Sequence, residues 1–134
     1  MNKLSRLNLI ISGVVMVAAI VAVTLLATKG SSSANALDCS GHNSISHTVV
    51  IKGDYASPEI TEGHICDKIT FIDDDHVTRE ISFGPHENHV AYDGISEKVL
   101  NYKQSLTVTL NKTGTYDFHD HIHDTAVGNF IVSN

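Results

Sequence analysis

The chain has 134 residues, room for one domain of ordinary size and not two. Fifteen acidic residues stand against nine Lys and Arg, a formal net charge of −6. That balance excludes the basic surface that nucleic acid or anionic lipid requires, and it suits a cation.

The N-terminal part is not ordinary domain sequence. "MNKLSRL" carries Lys3 and Arg6, and "NLIISGVVMVAAIVAVTLLAT" then runs from Asn8 to Thr28 without a charge. A bilayer-spanning helix needs about 20 such residues. Basic residues ahead of the run keep the N-terminus in the cytoplasm. Residues 1–28 therefore read as one hydrophobic helix, either a single-pass membrane anchor or a signal peptide. The small-x-small "ANA" ending at Ala36 has the form of a cleavage site. Both alternatives put residues 37–134 outside the cytoplasm, tethered to the cell membrane or secreted after cleavage near Ala36. Residues 29–36, "KGSSSANA", form a short polar linker.

All fifteen acidic residues and all nine histidines fall within residues 37–134. The two cysteines, Cys39 and Cys66, are there too. Outside the cytoplasm a pair of cysteines forms a disulfide, here expected to tie the first strand to a later loop. No CxxC or CxH spacing supports a thiolate metal site.

The exported part reads as short strands. "SHTVVIK" places Val49 and Ile51 on one face, and "KITFID" places Ile69 and Phe71 together. "SLTVTLN" is the cleanest alternation, with Leu106, Val108 and Leu110 on one side and Ser105, Thr107 and Thr109 on the other. "GTYDF" pairs Tyr116 with Phe118, and "NFIV" pairs Phe130 with Val132. Turns are expected at Gly53-Asp54, Glu62-Gly63, Gly84-Pro85, Asp93-Gly94 and Lys112-Thr113-Gly114. "IDDDH", Ile72 to His76, reads as a solvated acidic turn. No helical periodicity interrupts the pattern, which predicts an all-β, two-sheet antiparallel sandwich.

The chemistry concentrates in "FHDHIHD", Phe118 to Asp124, and "GPHENH", Gly84 to His89. On a strand, residues i and i+2 share a face, so His119 and His121 are neighbours while Asp120 points the other way. Imidazole pairs at this spacing clamp copper, zinc, nickel or iron. Two nitrogens alone hold a metal weakly. His86 and His89, three apart in a turn-bearing loop, supply two more. The expected metal ligands are His86, His89, His119 and His121. Glu87 and Asp124 either complete the shell or are simply solvated, whereas His42, His47 and His64 read as ordinary surface or core histidines.

"PEITEGHICDKITFIDDD", then "ISF", then "GTYDFHDHIHDTAVGNFIV" resembles the cupredoxin pattern across about residues 47–133. The resemblance implies a Greek-key β-sandwich, often built for copper. Its departures are specific. Asp120 stands where a blue-copper protein has its cysteine, and Arg79 stands where the first histidine ligand falls. His123 matches the second histidine, and Val127 occupies the region of the closing methionine. Without the thiolate, a His₂Cys blue-copper centre is excluded.

"PHENH" and "FHDH" are more similar to an exported cupredoxin-like subgroup with PHxxH and HDH motifs and no blue-copper cysteine. That resemblance matches His86, His89, His119 and His121. The subgroup often carries a further histidine where this chain has Arg79, with His76 as a nearby substitute. The closing stretch also looks like the HCHIxxH segment of multicopper oxidases, with the cysteine replaced. Arg79 and Asp120, at two vacated ligand positions, are expected to face each other as a buried ion pair.

The expected function is an exported, membrane-tethered metal-binding module. It takes copper, chiefly Cu(II), or alternatively zinc, for metal capture and delivery or for electron transfer with an unspecified partner protein. A second reading is a copper-dependent redox enzyme such as a superoxide dismutase, whose metal-binding segments "FHDH" and "GPHEN" resemble in reversed order. A third is a metal-free β-sandwich in cell-surface assembly. No G-x-S-x-G elbow or other nucleophile–base set is present.

Overall fold

A computed structural model describes residues 37–134. The hydrophobic helix expected at 1–28 and the linker at 29–36 lie outside the described residues. Among the described residues, no helix is long and apolar enough to cross a membrane.

Among the described residues nine strands follow in chain order: β1 (Ser46–Lys52), β2 (Tyr55–Ser57), β3 (Ile60–His64), β4 (Lys68–Asp73), β5 (Arg79–Phe83), β6 (Glu97–Leu100), β7 (Ser105–Thr109), β8 (Gly114–Asp120) and β9 (Val127–Ser133). They form two sheets, with strand orders β2-β1-β4-β7 and β3-β9-β8-β5-β6. The alternations seen in the sequence become burial. Val49, Ile51, Ile69, Phe71 and Val108 of the first sheet are closed from solvent against Ile81, Phe83, Phe118 and Phe130 of the second. Phe71 meets the opposite sheet edge-on, its ring centre 4.8 Å from Phe118 and 5.7 Å from Phe83. This geometry favours aromatic pairs and locks the two sheets together under one end of β8.

The sandwich is mixed rather than wholly antiparallel. β1 runs parallel to β4, and β3 parallel to β9. The chain leaves the first sheet after β2, adds β3 to the second and returns as β4, so β4 lies beside β1 in the same direction. Strands of about five residues carry no sequence mark of their pairing direction.

Three local expectations are refined. Glu62 and Gly63 lie inside β3 rather than in a turn. Gly63 is there for space, since a Cβ would stand 2.6 Å from Leu110 Cδ1. "IDDDH" is not a solvated turn: Asp73 is fully buried, Asp74 pairs with Lys103, and Asp75 pairs with buried Arg79. The Cys39–Cys66 disulfide forms, but it anchors the segment ahead of β1, not β1 itself, to the turn between β3 and β4.

Candidate functional site

Strand β8 carries two chemistries on its two faces. Phe118 and Asp120 point into the sandwich and are closed from solvent. His119, between them, points to the outer side, with Ser82 of β5 and Val127 of β9 as its cross-strand neighbours. His121 follows just past the strand end on the side of His119, as period-two alternation requires.

Inward, Arg79 Nη1 donates to Asp120 Oδ2 at 2.9 Å, and Nη2 pairs with Asp75. Asp120 Oδ1 accepts from the amides of Glu80 and Ile122 at 2.9 and 3.1 Å. His123 Nδ1 lies 3.2 Å from Asp120 Oδ2. Burial alone would raise the Asp120 pKa. The Glu80 amide, Arg79 and the Ile122 amide outweigh it and hold the carboxyl below its usual range. The expected Arg79–Asp120 pair is present, and it fills the interior at this end of the sheet.

Outward, the loop joining β5 to β6 folds back over β8. The Gly84 amide donates to Asp117 O at 2.9 Å, and the Val90 amide to Phe83 O at 2.8 Å. Gly84 has φ +82°, and a Cβ there would stand 3.0 Å from the Val90 nitrogen, so glycine is required by conformation and by space. The fold-back brings His86 and His89 onto the two strand-end histidines. The His86 ring centre lies 4.5 Å from that of His121 and 5.2 Å from that of His119. The His89 ring lies 4.6 and 5.2 Å from the same two. One nitrogen each from His86, His119 and His121 falls within 4.8 Å of the others. His89 Nε2 faces His121 Nδ1 at 3.1 Å, and His89 Nδ1 faces Glu97 Oε2 at 3.0 Å.

His119 is the buried member of the set. Its Nε2 is enclosed and has no hydrogen-bond partner. Burial lowers its pKa, and the neighbouring His89, His86 and His121 lower it further. Its ring is therefore held neutral, the form that ligates a metal. An enclosed, unpartnered imidazole nitrogen is costly unless something binds it.

Of the four histidines singled out by spacing, His86, His119 and His121 bring nitrogens within 4.8 Å of one another, and His89 lies against His121. His76 is not part of the cluster: it stacks on Tyr102 with ring centres 4.0 Å apart. His123 belongs to the Asp120 network. His47 and His64 sit beside Asp67, at 3.3 and 3.8 Å. Glu87 is exposed on the loop, and Asp124 lines a groove beside His86 and His119. Glu59 and Asp117 also line that groove. Glu59 and Glu97 carried no motif, because the pairing of neighbouring strands brings them in, whereas Asp117 sits on β8 two residues before His119 and shares its side by the same alternation.

No protein-family model and no curated protein matches the chain. Solved structures do. The chain is similar to a reduced amicyanin carrying a proline-to-phenylalanine substitution, at 20% identity and a TM-score of 0.54, covering 68% of this chain and 83% of that one. It is similar to a reduced amicyanin with a tryptophan-to-tyrosine substitution, at 17% identity and a TM-score of 0.56, covering 71% and 88%. It is also similar to a purple cupredoxin from Nitrosopumilus maritimus, at 20% identity and a TM-score of 0.56, covering 65% and 99%. The described residues form a cupredoxin-like domain, the fold that the sequence resemblance implied.

Proposed function

We propose that this domain binds one metal ion, Cu(II) in preference to Zn(II), through His86, His119 and His121 with His89 as the fourth nitrogen. One observation carries the reading: three imidazole nitrogens converge within 4.8 Å, and one residue among them, His119, keeps an enclosed Nε2 without a partner. All-nitrogen ligation suits Cu(II), whereas Cu(I) prefers sulfur. Copper, when bound, supplies one-electron chemistry. The chain's own residues keep the His119 ring enclosed and favour its neutral form, fix the loop over the strand end and keep a carboxylate-rimmed groove open at His86 and His119. Asp120 takes no part in ligation, because its oxygens are committed to Arg79 and two backbone amides.

The uncharged run from Asn8 to Thr28 supports export, with the domain on the outer side of the membrane and tethered to it. Metal capture and delivery fits this arrangement, as does electron transfer to a partner. Superoxide dismutation is the weaker alternative: the groove beside the cluster carries Glu59, Asp117 and Asp124, which repel an anionic substrate.

Electron paramagnetic resonance of the Cu(II)-loaded full chain tests the reading. Nitrogen hyperfine structure from several imidazoles is the expected result. A signal typical of oxygen ligands alone, or of free copper, contradicts it.

A further inference from the structure

The pairing of β5 with β6 sets Glu97 opposite Ser82, and the pairing of β5 with β8 sets Ser82 opposite His119. Directly paired residues share a sheet face, so Glu97, Ser82 and His119 form one row on the outer side. Ser82 is small and wholly buried, and its hydroxyl has no partner. The His89 ring, descending from the loop, spans the row. Its Nδ1 meets Glu97 at 3.0 Å and its Nε2 meets His121 at 3.1 Å.

A carboxylate only accepts, so His89 Nδ1 carries the proton, and in the neutral ring Nε2 is left with its lone pair. That lone pair points toward the cluster. An exposed His–carboxylate contact is ordinarily worth little. Here the histidine side chain is 15% exposed, and its second nitrogen is engaged by another candidate ligand. Carboxylates behind ligating histidines set the ring's tautomer and orientation.

We infer that Glu97 is a positioning residue for the metal centre, holding His89 in the Nδ1–H tautomer with Nε2 turned to the metal. This rests on the metal-binding reading above. Glu97 touches no metal itself. It acts through His89 and ties the loop to the edge strand β6.

The test combines two measurements on the full chain. Nitrogen-15 NMR of the metal-free protein reads the His89 tautomer, and competition titration reads Cu(II) affinity. Wild type is expected to show His89 protonated at Nδ1. Glu97→Ala is expected to lose that preference and to weaken Cu(II) binding about 10- to 100-fold. Glu97→Gln, a neutral acceptor of the same length, is expected to restore part of both. On a His89→Ala background, Glu97→Ala should cost nothing further. Unchanged affinity and tautomer in Glu97→Ala, or an equal loss on both backgrounds, overturns the inference. If wild type binds no copper, the metal reading falls, and the tautomer measurement still decides whether Glu97 orients His89.

Discussion

Arg79 and Asp120 form a 2.9 Å ion pair with both side chains enclosed between the sheets. Asp120, the last residue of β8, also separates His119 from His121, so a buried charge network and a histidine cluster lie back to back across one strand end. The inner face is filled and fully bonded at Asp120, and the outer face leaves imidazole nitrogens unspent. The proposed metal centre therefore lies on the outside of a sheet, and the interior at this strand end is occupied by the ion pair.

Removing one partner of the pair leaves the other charge buried. Asp120→Ala or Arg79→Ala is expected to lower unfolding free energy by about 3–5 kcal/mol. The double variant Arg79→Met/Asp120→Leu is expected to recover much of that loss. Urea denaturation followed by circular dichroism measures both, and near-neutral single variants contradict the assignment.

Acid should unfold the domain through specific carboxylates. Asp75 is held below its usual 3.8 chiefly by its bond to Arg79. Asp67 is also lowered: burial pushes it up, but the amides of Ile45 and His64 outweigh that. Between the lowered folded value and 3.8 the unfolded chain binds more protons than the native one. These groups therefore stabilise the fold fully above about pH 4, and the contribution is lost as pH falls further. Asp67→Asn and Asp75→Asn should flatten the acid limb of a stability–pH curve. An unchanged limb refutes the attribution.

The Cys39–Cys66 bridge spans 27 residues of sequence and clamps the chain entry onto the β3–β4 turn. Replacing both cysteines by serine is expected to cost about 2–4 kcal/mol, because the unfolded chain regains the closed loop's freedom. Thermal denaturation with and without reductant measures it. Equal midpoints would show that the bridge contributes nothing.

Gly128 admits no side chain. A Cβ there would stand 2.4 Å from the Glu59 carbonyl oxygen and 2.5 Å from Phe118 Cζ. Gly128→Ala is expected to destabilise by about 1–3 kcal/mol through overpacking, and to disturb the groove beside His119. A wild-type denaturation midpoint contradicts this.

Much of this was legible in the sequence because period-two alternation maps directly onto burial. Leu106, Val108 and Leu110 are core residues as the pattern required, and His119 and His121 share a side because their spacing dictates it. The loop histidines were found by their spacing and clustering in an acidic segment. What sequence spacing could not convey is set by long-range pairing. The parallel alignment of β1 with β4 and the burial of Asp73 depend on strands far apart in the chain, while Glu97, only eight residues from His89, meets it through the local β5–β6 pairing that no motif announces. Gly63 misled for a related reason: a glycine demanded by close packing looks the same in sequence as one demanded by a turn.

The most direct measurement is a calorimetric Cu(II) titration of the full chain beside His119→Ala/His121→Ala and His86→Ala/His89→Ala. One tight equivalent in the wild type, lost in both double variants and weakened in acid, where protonated imidazole cannot ligate, is the predicted result. No binding, or binding indifferent to both pairs, would contradict a metal centre built on the outer face of β8.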